Sequence, residues 1–144
     1  MRIMRLGEII RDCGVISVSG DAGKEISAIC SDSRKACPGS AFIAVKGHAS
    51  DGHQFIASAI RNGAVAIIYD DQEAMEAQVN ASGVNADTLT LARVENSRHA
   101  EAMSAATFYG NPSHELTVVG ITGTNGKTTT VTLLYNLFRG LGYK

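Results

Sequence analysis

The spacing of apolar positions changes several times along the chain, and each change marks an element. Leu6, Ile9, Ile10 and Cys13 recur at i, i+3, i+4 and i+7, the stripe of a short amphipathic helix, and Gly14 marks its end. The pattern over Glu25–Cys30 predicts a strand, broken by the polar run Ser31-Asp32-Ser33-Arg34-Lys35. After the Pro38-Gly39 turn, Ala41–Val45 predicts a buried strand ending at Gly47. Asp51, with Gln54 three residues on, predicts a capped helix whose Phe55, Ile56, Ala59 and Ile60 face inward, closed by Gly63.

Ala64–Tyr69 is apolar throughout, as a strand covered on both faces is. A helix over about 72–79 and a strand near 88–91 follow. A second helical stripe, Ala102, Ala105, Ala106 and Tyr109, is stopped by Gly110-Asn111-Pro112. Leu116–Ile121 predicts a further strand, and Val131, Leu134, Tyr135 and Phe138 predict a helix from Lys127 onward. Strands alternating with helices across short loops predict an α/β fold on a mostly parallel sheet. The expected boundary is Gly110–Ser113, giving a domain at 1–112 and a second at 113–144. That second part holds one strand, one loop and one helix, which cannot bury both faces of a sheet. It is therefore expected to be the truncated start of a larger domain.

Composition narrows the function classes. With 144 residues, 44% of them hydrophobic and 19% charged, the chain has enough apolar content for a core and too much for intrinsic disorder. No apolar run approaches the roughly 20 residues of a membrane span. Thirteen basic against fourteen acidic residues leave a charge of -1, which argues against a protein that coats nucleic acid. Any anion site must then be local. Cys13, Cys30 and Cys37 match neither a zinc pattern nor a redox pair and are expected to be reduced thiols of a cytoplasmic protein.

One such local site is written into Val119-Gly-Ile-Thr-Gly-Thr-Asn-Gly-Lys-Thr-Thr-Thr130. A strand end, a glycine-bearing loop and a helix start in this order aim successive backbone N–H groups into a concave nest for phosphate oxygens. Lys127 is placed to reach the β- and γ-phosphates, and the Thr128 hydroxyl to hold Mg²⁺. The glycine usual five positions before the Gly-Lys pair is replaced by Ile121, with Gly120 and Gly123 on either side. The chemistry points to a nucleoside triphosphate.

Thr122–Thr129 resembles the nucleotide loop of the ATP-dependent Mur ligases, which build the peptide stem of peptidoglycan and share this departure. Ser31-Asp32-Ser33-Arg34, Pro38-Gly39, Phe42–Val45, Gly47-His48, Asp51-Gly52-His53, Ala59-Ile60 and Gly63-Ala64 resemble the first domain of the type that adds the third stem residue (MurE type). Phe108-Tyr109 and Pro112-Ser113 fit as well, so the resemblance spans about residues 26–142. The resemblance implies a Rossmann-like UDP-sugar-binding domain followed by the first strand, phosphate loop and helix of an ATPase domain. It implies UDP-N-acetylmuramoyl-L-Ala-D-Glu as substrate, ATP and Mg²⁺ as cofactors, and meso-diaminopimelate, L-lysine or another amino acid as the group added.

By position, the resemblance places the UDP contacts on Ser31, Ser33, His48, Ala49 and Ser50, with a main-chain contact at Ser31. It places ATP on Gly123, Thr124, Asn125, Gly126, Lys127, Thr128 and Thr129, with Lys127 stabilising the transferring phosphoryl group and Thr128 on the metal. Arg34 is a candidate supporting cation or a solvated loop arginine. The ligase adding D-alanyl-D-alanine (MurF type) and a non-catalytic nucleotide-binding module remain alternatives. His53, His99 and His114 are expected to be structural or surface residues, and Asp70-Asp71 to cap the following helix. Lacking the family's later elements, the amino-acid site among them, the 144-residue chain alone is expected not to catalyse ligation. The unpaired strand of its second part is expected to invite self-association, whereas the full-length enzyme is expected to be monomeric.

Overall fold

The computed structural model describes residues 2–47 and 50–143. It divides into two compact units, Met1–Pro112 and Ser113–Lys144. The first is a three-layer α/β unit. Its elements in order are β1 (Met4–Arg5), α1 (Leu6–Ile9), β2 (Val15–Ser19), β3 (Glu25–Ile26), β4 (Ala28–Cys30), β5 (Ser40–Ile43), α2 (Ile56–Arg61), β6 (Ala64–Tyr69), α3 (Gln72–Ser82), β7 (Thr90–Val94) and α4 (Ser97–Tyr109). The main sheet runs β2-β7-β6-β5-β4, parallel throughout except for β2, which lies antiparallel on β7.

The two-residue side-chain period of the strands sorts one sequence into two cores. On one face Ala41, Ile43, Ala66, Ile68, Ala92 and Val94 meet Leu6, Ile9, Ile10 and Cys13, together with Ala100 and Phe108 of α4. On the other, Phe42, Ala44, Ala64, Ile67 and Tyr69 meet Ile56, Ala59 and Ile60 of α2 and Met75 and Val79 of α3. The uninterrupted apolar run of β6 thus feeds both layers. Between α2 and β6 the chain turns at Gly63 with φ +105°, and a Cβ there would stand 2.7 Å from the backbone nitrogen of Pro38. Only glycine fits that turn.

Several expectations are corrected. Glu25–Cys30 is two short strands in different sheets: β3 pairs with β1, β4 with β5. Val15–Ser19 forms an edge strand that its mixed Val/Ser pattern does not announce, because all five residues stay exposed. The 88–91 strand starts later, since Asn85 caps a 3-10 turn over Ala86–Thr88. The inward stripe of α4 is Ser97, Ala100, Ser104 and Phe108, not Ala102, Ala105, Ala106 and Tyr109. Two small hydroxyl residues on the buried side let α4 lie close to the sheet, and alanine spacing does not reveal this.

In the second unit, the strand expected at 116–121 does not form. Leu116, Val118 and Val119 are exposed, and the segment pairs with no other strand among the described residues. A parallel strand exists only through its ladder partners. The helix α5 (Lys127–Gly140) does form, but it buries none of its residues. Val131, Leu133, Tyr135, Leu137 and Phe138 all stand exposed.

Candidate functional site

The parallel strands deliver their carboxyl ends to one side, where the chain departs in loops. Outside β4 and β5 these loops enclose an open cleft of about 690 Å³. This is where open α/β sheets generally place ligands. Its walls come from Ser31, Asp32, Ser33 and Arg34 after β4, from Val45, Gly47, Ser50 and Gly52 after β5, from Phe55 and Ser58 at α2, and from Glu101 of α4. Three residues expected at the UDP end, Ser31, Ser33 and Ser50, therefore share one cleft. His48 and Ala49, expected there too, lie outside the described residues.

The loop after β4 is internally fixed. Asp32 Oδ1 accepts the backbone N–H of Arg34 at 3.0 Å, and its carboxylate takes the guanidinium through Nε at 2.9 Å and Nη2 at 2.8 Å. The guanidinium bonds, joined by the backbone N–H, hold the Asp32 carboxyl down at about 2. The charge of Arg34 is thus already matched within its own turn, although the side chain is exposed. Ser33 is 8% exposed, and its carbonyl accepts the Asn62 side-chain N–H at 2.9 Å, tying the loop to the end of α2.

The loop after β5 is clamped from two sides. Gly52 donates its N–H to the Val45 carbonyl at 2.9 Å, and a Cβ at Gly52 would stand 2.6 Å from that same oxygen. The guanidinium of Arg98 donates through Nε at 3.1 Å and Nη2 at 2.9 Å to the Lys46 carbonyl. From the other side, His53 is 1% exposed, with Nδ1 2.7 Å from Asp51 Oδ1 and Nε2 3.1 Å from Asp70 Oδ1. Asp70 Oδ2 in turn accepts the Ser97 N–H at 2.9 Å, joining the end of β6 to the start of α4. Burial raises the Asp51 carboxyl, but the N–H and imidazole of His53 outweigh it and bring it below the usual value.

This arrangement settles some sequence expectations. Asp71 does cap α3, its Oδ1 accepting the Ala74 N–H at 3.0 Å. His99 and His114 are exposed and His53 is structural, though its two carboxylate partners were not foreseen. The box between Asp51 and Gln54 is not made: Asp51 caps a 3-10 turn over Gly52–Phe55 through the His53 N–H. That turn shifts the helical phase, so Phe55 leaves the core and stands 43% exposed on the cleft wall. Glu101 and Ser58 were likewise missed, since nothing in a helical sequence tells which end of the sheet a residue reaches.

The loop expected to hold phosphate, Gly123–Thr129, lies in the second unit. Gly126 precedes α5 in the left-handed conformation at φ +79°. No side chain caps this helix and no acid lies in its first turn, so its leading N–H groups remain open to an anion. The Lys127 ammonium donates to the Gly123 carbonyl and, at 3.5 Å, to that of Thr124. Among the described residues no group of three metal-ligating side chains gathers, and no helix is long and apolar enough to cross a membrane. Cys13, Cys30 and Cys37 are free thiols, and burial pushes the first two up to about 11.

Comparison with known proteins gives a consistent picture. Residues 25–110 match the Mur ligase family, catalytic domain. The chain is 48% identical over 141 residues to UDP-N-acetylmuramoyl-L-alanyl-D-glutamate--2,6-diaminopimelate ligase of Cytophaga hutchinsonii, covering 98% of this chain and 27% of that protein. It is 43% identical over 141 residues to the protein of the same name from Phocaeicola vulgatus, with the same coverage. Its structure resembles that of MurF ligase from Thermotoga maritima in complex with ADP, at TM-score 0.54 and 37% identity, over 78% of this chain and 23% of that one. The chain therefore spans about a quarter of the length of the relatives it matches.

Proposed function

The chain belongs to the Mur ligase family, and we propose that it carries the UDP-substrate domain and nucleotide loop of the ligase that adds meso-diaminopimelate to UDP-N-acetylmuramoyl-L-Ala-D-Glu. The observation that carries the reading is the agreement between the relatives that bear this name, 48% and 43% identical across nearly the whole chain, and the cleft that gathers Ser31, Ser33 and Ser50. In this reading residues 1–112 hold the UDP end. Ser33 and Ser50 donate hydroxyls to pyrophosphate oxygens, Ser31 contributes its main chain, and His48 and Ala49 are the further contacts.

Residues 113–144 open the ATP-binding domain. The N–H groups at the start of α5 and the residues Gly123–Thr129 cradle the phosphates, and the Thr128 hydroxyl is the metal ligand this chain offers. Magnesium, when bound, neutralises phosphate charge. Lys127 releases its loop carbonyls to meet the phosphoryl group and stabilises it as it transfers. The substrate carboxylate takes that group as an acyl phosphate, and the incoming amine displaces phosphate to leave the amide. The resemblance to a MurF structure keeps the D-alanyl-D-alanine-adding type as the second reading. It is disfavoured because that match is 37% identical over 78% of the chain, against 48% over 98%.

Calorimetric titration tests the proposal: the chain is expected to bind the UDP-muramoyl dipeptide. Binding of Mg·ATP alone would overturn the substrate reading. In the full-length enzyme, incorporation of diaminopimelate and not of D-alanyl-D-alanine is the expected outcome.

A further inference from the structure

Among the described residues, Phe55 is the one aromatic side chain on the wall of a cleft whose other lining includes four serines and the charged Asp32, Arg34 and Glu101. Its exposure is not slack in the chain. His53 two residues before is 1% exposed and Ile56 immediately after is fully buried, so the backbone on both sides is anchored and the ring is turned outward by construction. The turn that orients it is held by Asp51 accepting the His53 N–H at 3.0 Å and by the imidazole lodged between Asp51 and Asp70. An apolar ring held at 43% exposure leaves water-facing area that a flat ligand surface would cover. The hydroxyl of Ser58, on α2 in the same wall, supplies a directional partner at the edge of such a ligand, while Ser33 and Ser50 serve its phosphate end.

Resting on the UDP-substrate reading above, we propose that Phe55 is the stacking platform for the pyrimidine base, setting the base apart from the phosphate end of the same cleft. The volume of about 690 Å³ accommodates a nucleoside diphosphate. Stacking on an aromatic face contributes through the base, whereas pyrophosphate contacts do not depend on it.

The test uses this chain with three probes: uridine 5′-diphosphate, uridine and inorganic pyrophosphate. Wild type is expected to bind uridine diphosphate. Phe55→Ala is expected to lose about tenfold to a hundredfold of that affinity, the range seen when a stacking ring is removed. Its pyrophosphate affinity is expected to stay unchanged. Phe55→Tyr is expected to bind like wild type, while Phe55→Leu, which keeps an apolar side chain and loses the π face, behaves like the alanine variant. Equal binding of uridine diphosphate by wild type and Phe55→Ala, or full retention by Phe55→Leu, overturns the stacking role and leaves the substrate reading standing. Absence of uridine diphosphate binding by folded wild type overturns the substrate reading and the stacking role together. Should the alanine variant melt early, the tyrosine and leucine pair still decides the matter.

Discussion

The two units of this chain carry comparably strong sequence signals and very different amounts of structure. Up to Pro112, nearly every apolar stripe finds a partner: β6 feeds two cores, and α2, α3 and α4 each bury a face. Beyond it, α5 has as regular an apolar stripe as any helix and buries none of it. Helical periodicity is a local property that survives in isolation once the chain is long enough. A parallel strand is not local, and 116–121 stays unpaired among the described residues. A motif can therefore be legible and chemically meaningful while the scaffold that makes it rigid is elsewhere.

The largest expected effect separates the two units functionally. On the proposed function, Lys127→Ala in a ligase that contains this chain is expected to lower ligation about a hundredfold to a thousandfold. Binding of the UDP substrate, measured by titration, should not change. Equal loss of both would erase the distinction between a substrate unit and a nucleotide unit.

Stability sharpens the contrast next. Ile67→Ala, in the core beneath α2, is expected to cost about 2–5 kcal/mol in urea unfolding. Leu133→Ala on α5 should stay within about 0.5 kcal/mol in this chain, because its side chain is already exposed. A large cost at Leu133 would mean that α5 is covered after all. His53→Ala should fall between, at about 1–3 kcal/mol, since it leaves Asp51 and Asp70 without their shared partner.

The smallest effects are ionic. Asp32 sits at about 2 in the folded chain against an ordinary 3.8, so its contribution to stability is complete above pH 4. It is lost as pH falls from about 4 through 2, and it is small because the pair is solvent-exposed. Asp32→Asn should flatten that segment of the pH–stability curve. With burial holding Cys13 and Cys30 near 11, alkylation at pH 8 followed by mass spectrometry should mark exposed Cys37 first.

The β6 strand, the α3 cap at Asp71 and the helix from Lys127 were readable in the sequence because each is encoded within a dozen residues, and the α/β alternation because it sums such local signals. What escaped depends on partners distant in the chain. The exposed edge strand Val15–Ser19 is defined by β7, and the buried side of α4 by how closely Ser97 and Ser104 let it approach the sheet. Of the cleft lining, Ser31, Ser33 and Ser50 could be named from the family resemblance, their binding role being part of the proposed function. Phe55 could not, because a one-turn change from α to 3-10 geometry at Gly52–Phe55 swings it from core to cleft. Asp70 and Arg98, which hold the neighbouring loop, reach it across the top of the sheet from separate elements.

The strand order has a consequence in time. β4, β5, β6 and β7 are neighbours in the order in which a ribosome makes them, so each can join the growing sheet on emerging. β2, made earlier, has its place on β7 and must wait for it, just as the thiol of Cys13 waits for the carbonyl of Ala100. The last piece of the first unit to arrive is α4, and the cleft needs its Glu101. Thr122–Thr129 is translated only after that. A nascent chain paused before that segment would already hold the lining of the cleft complete, ahead of the loop that the proposed function gives to the nucleotide.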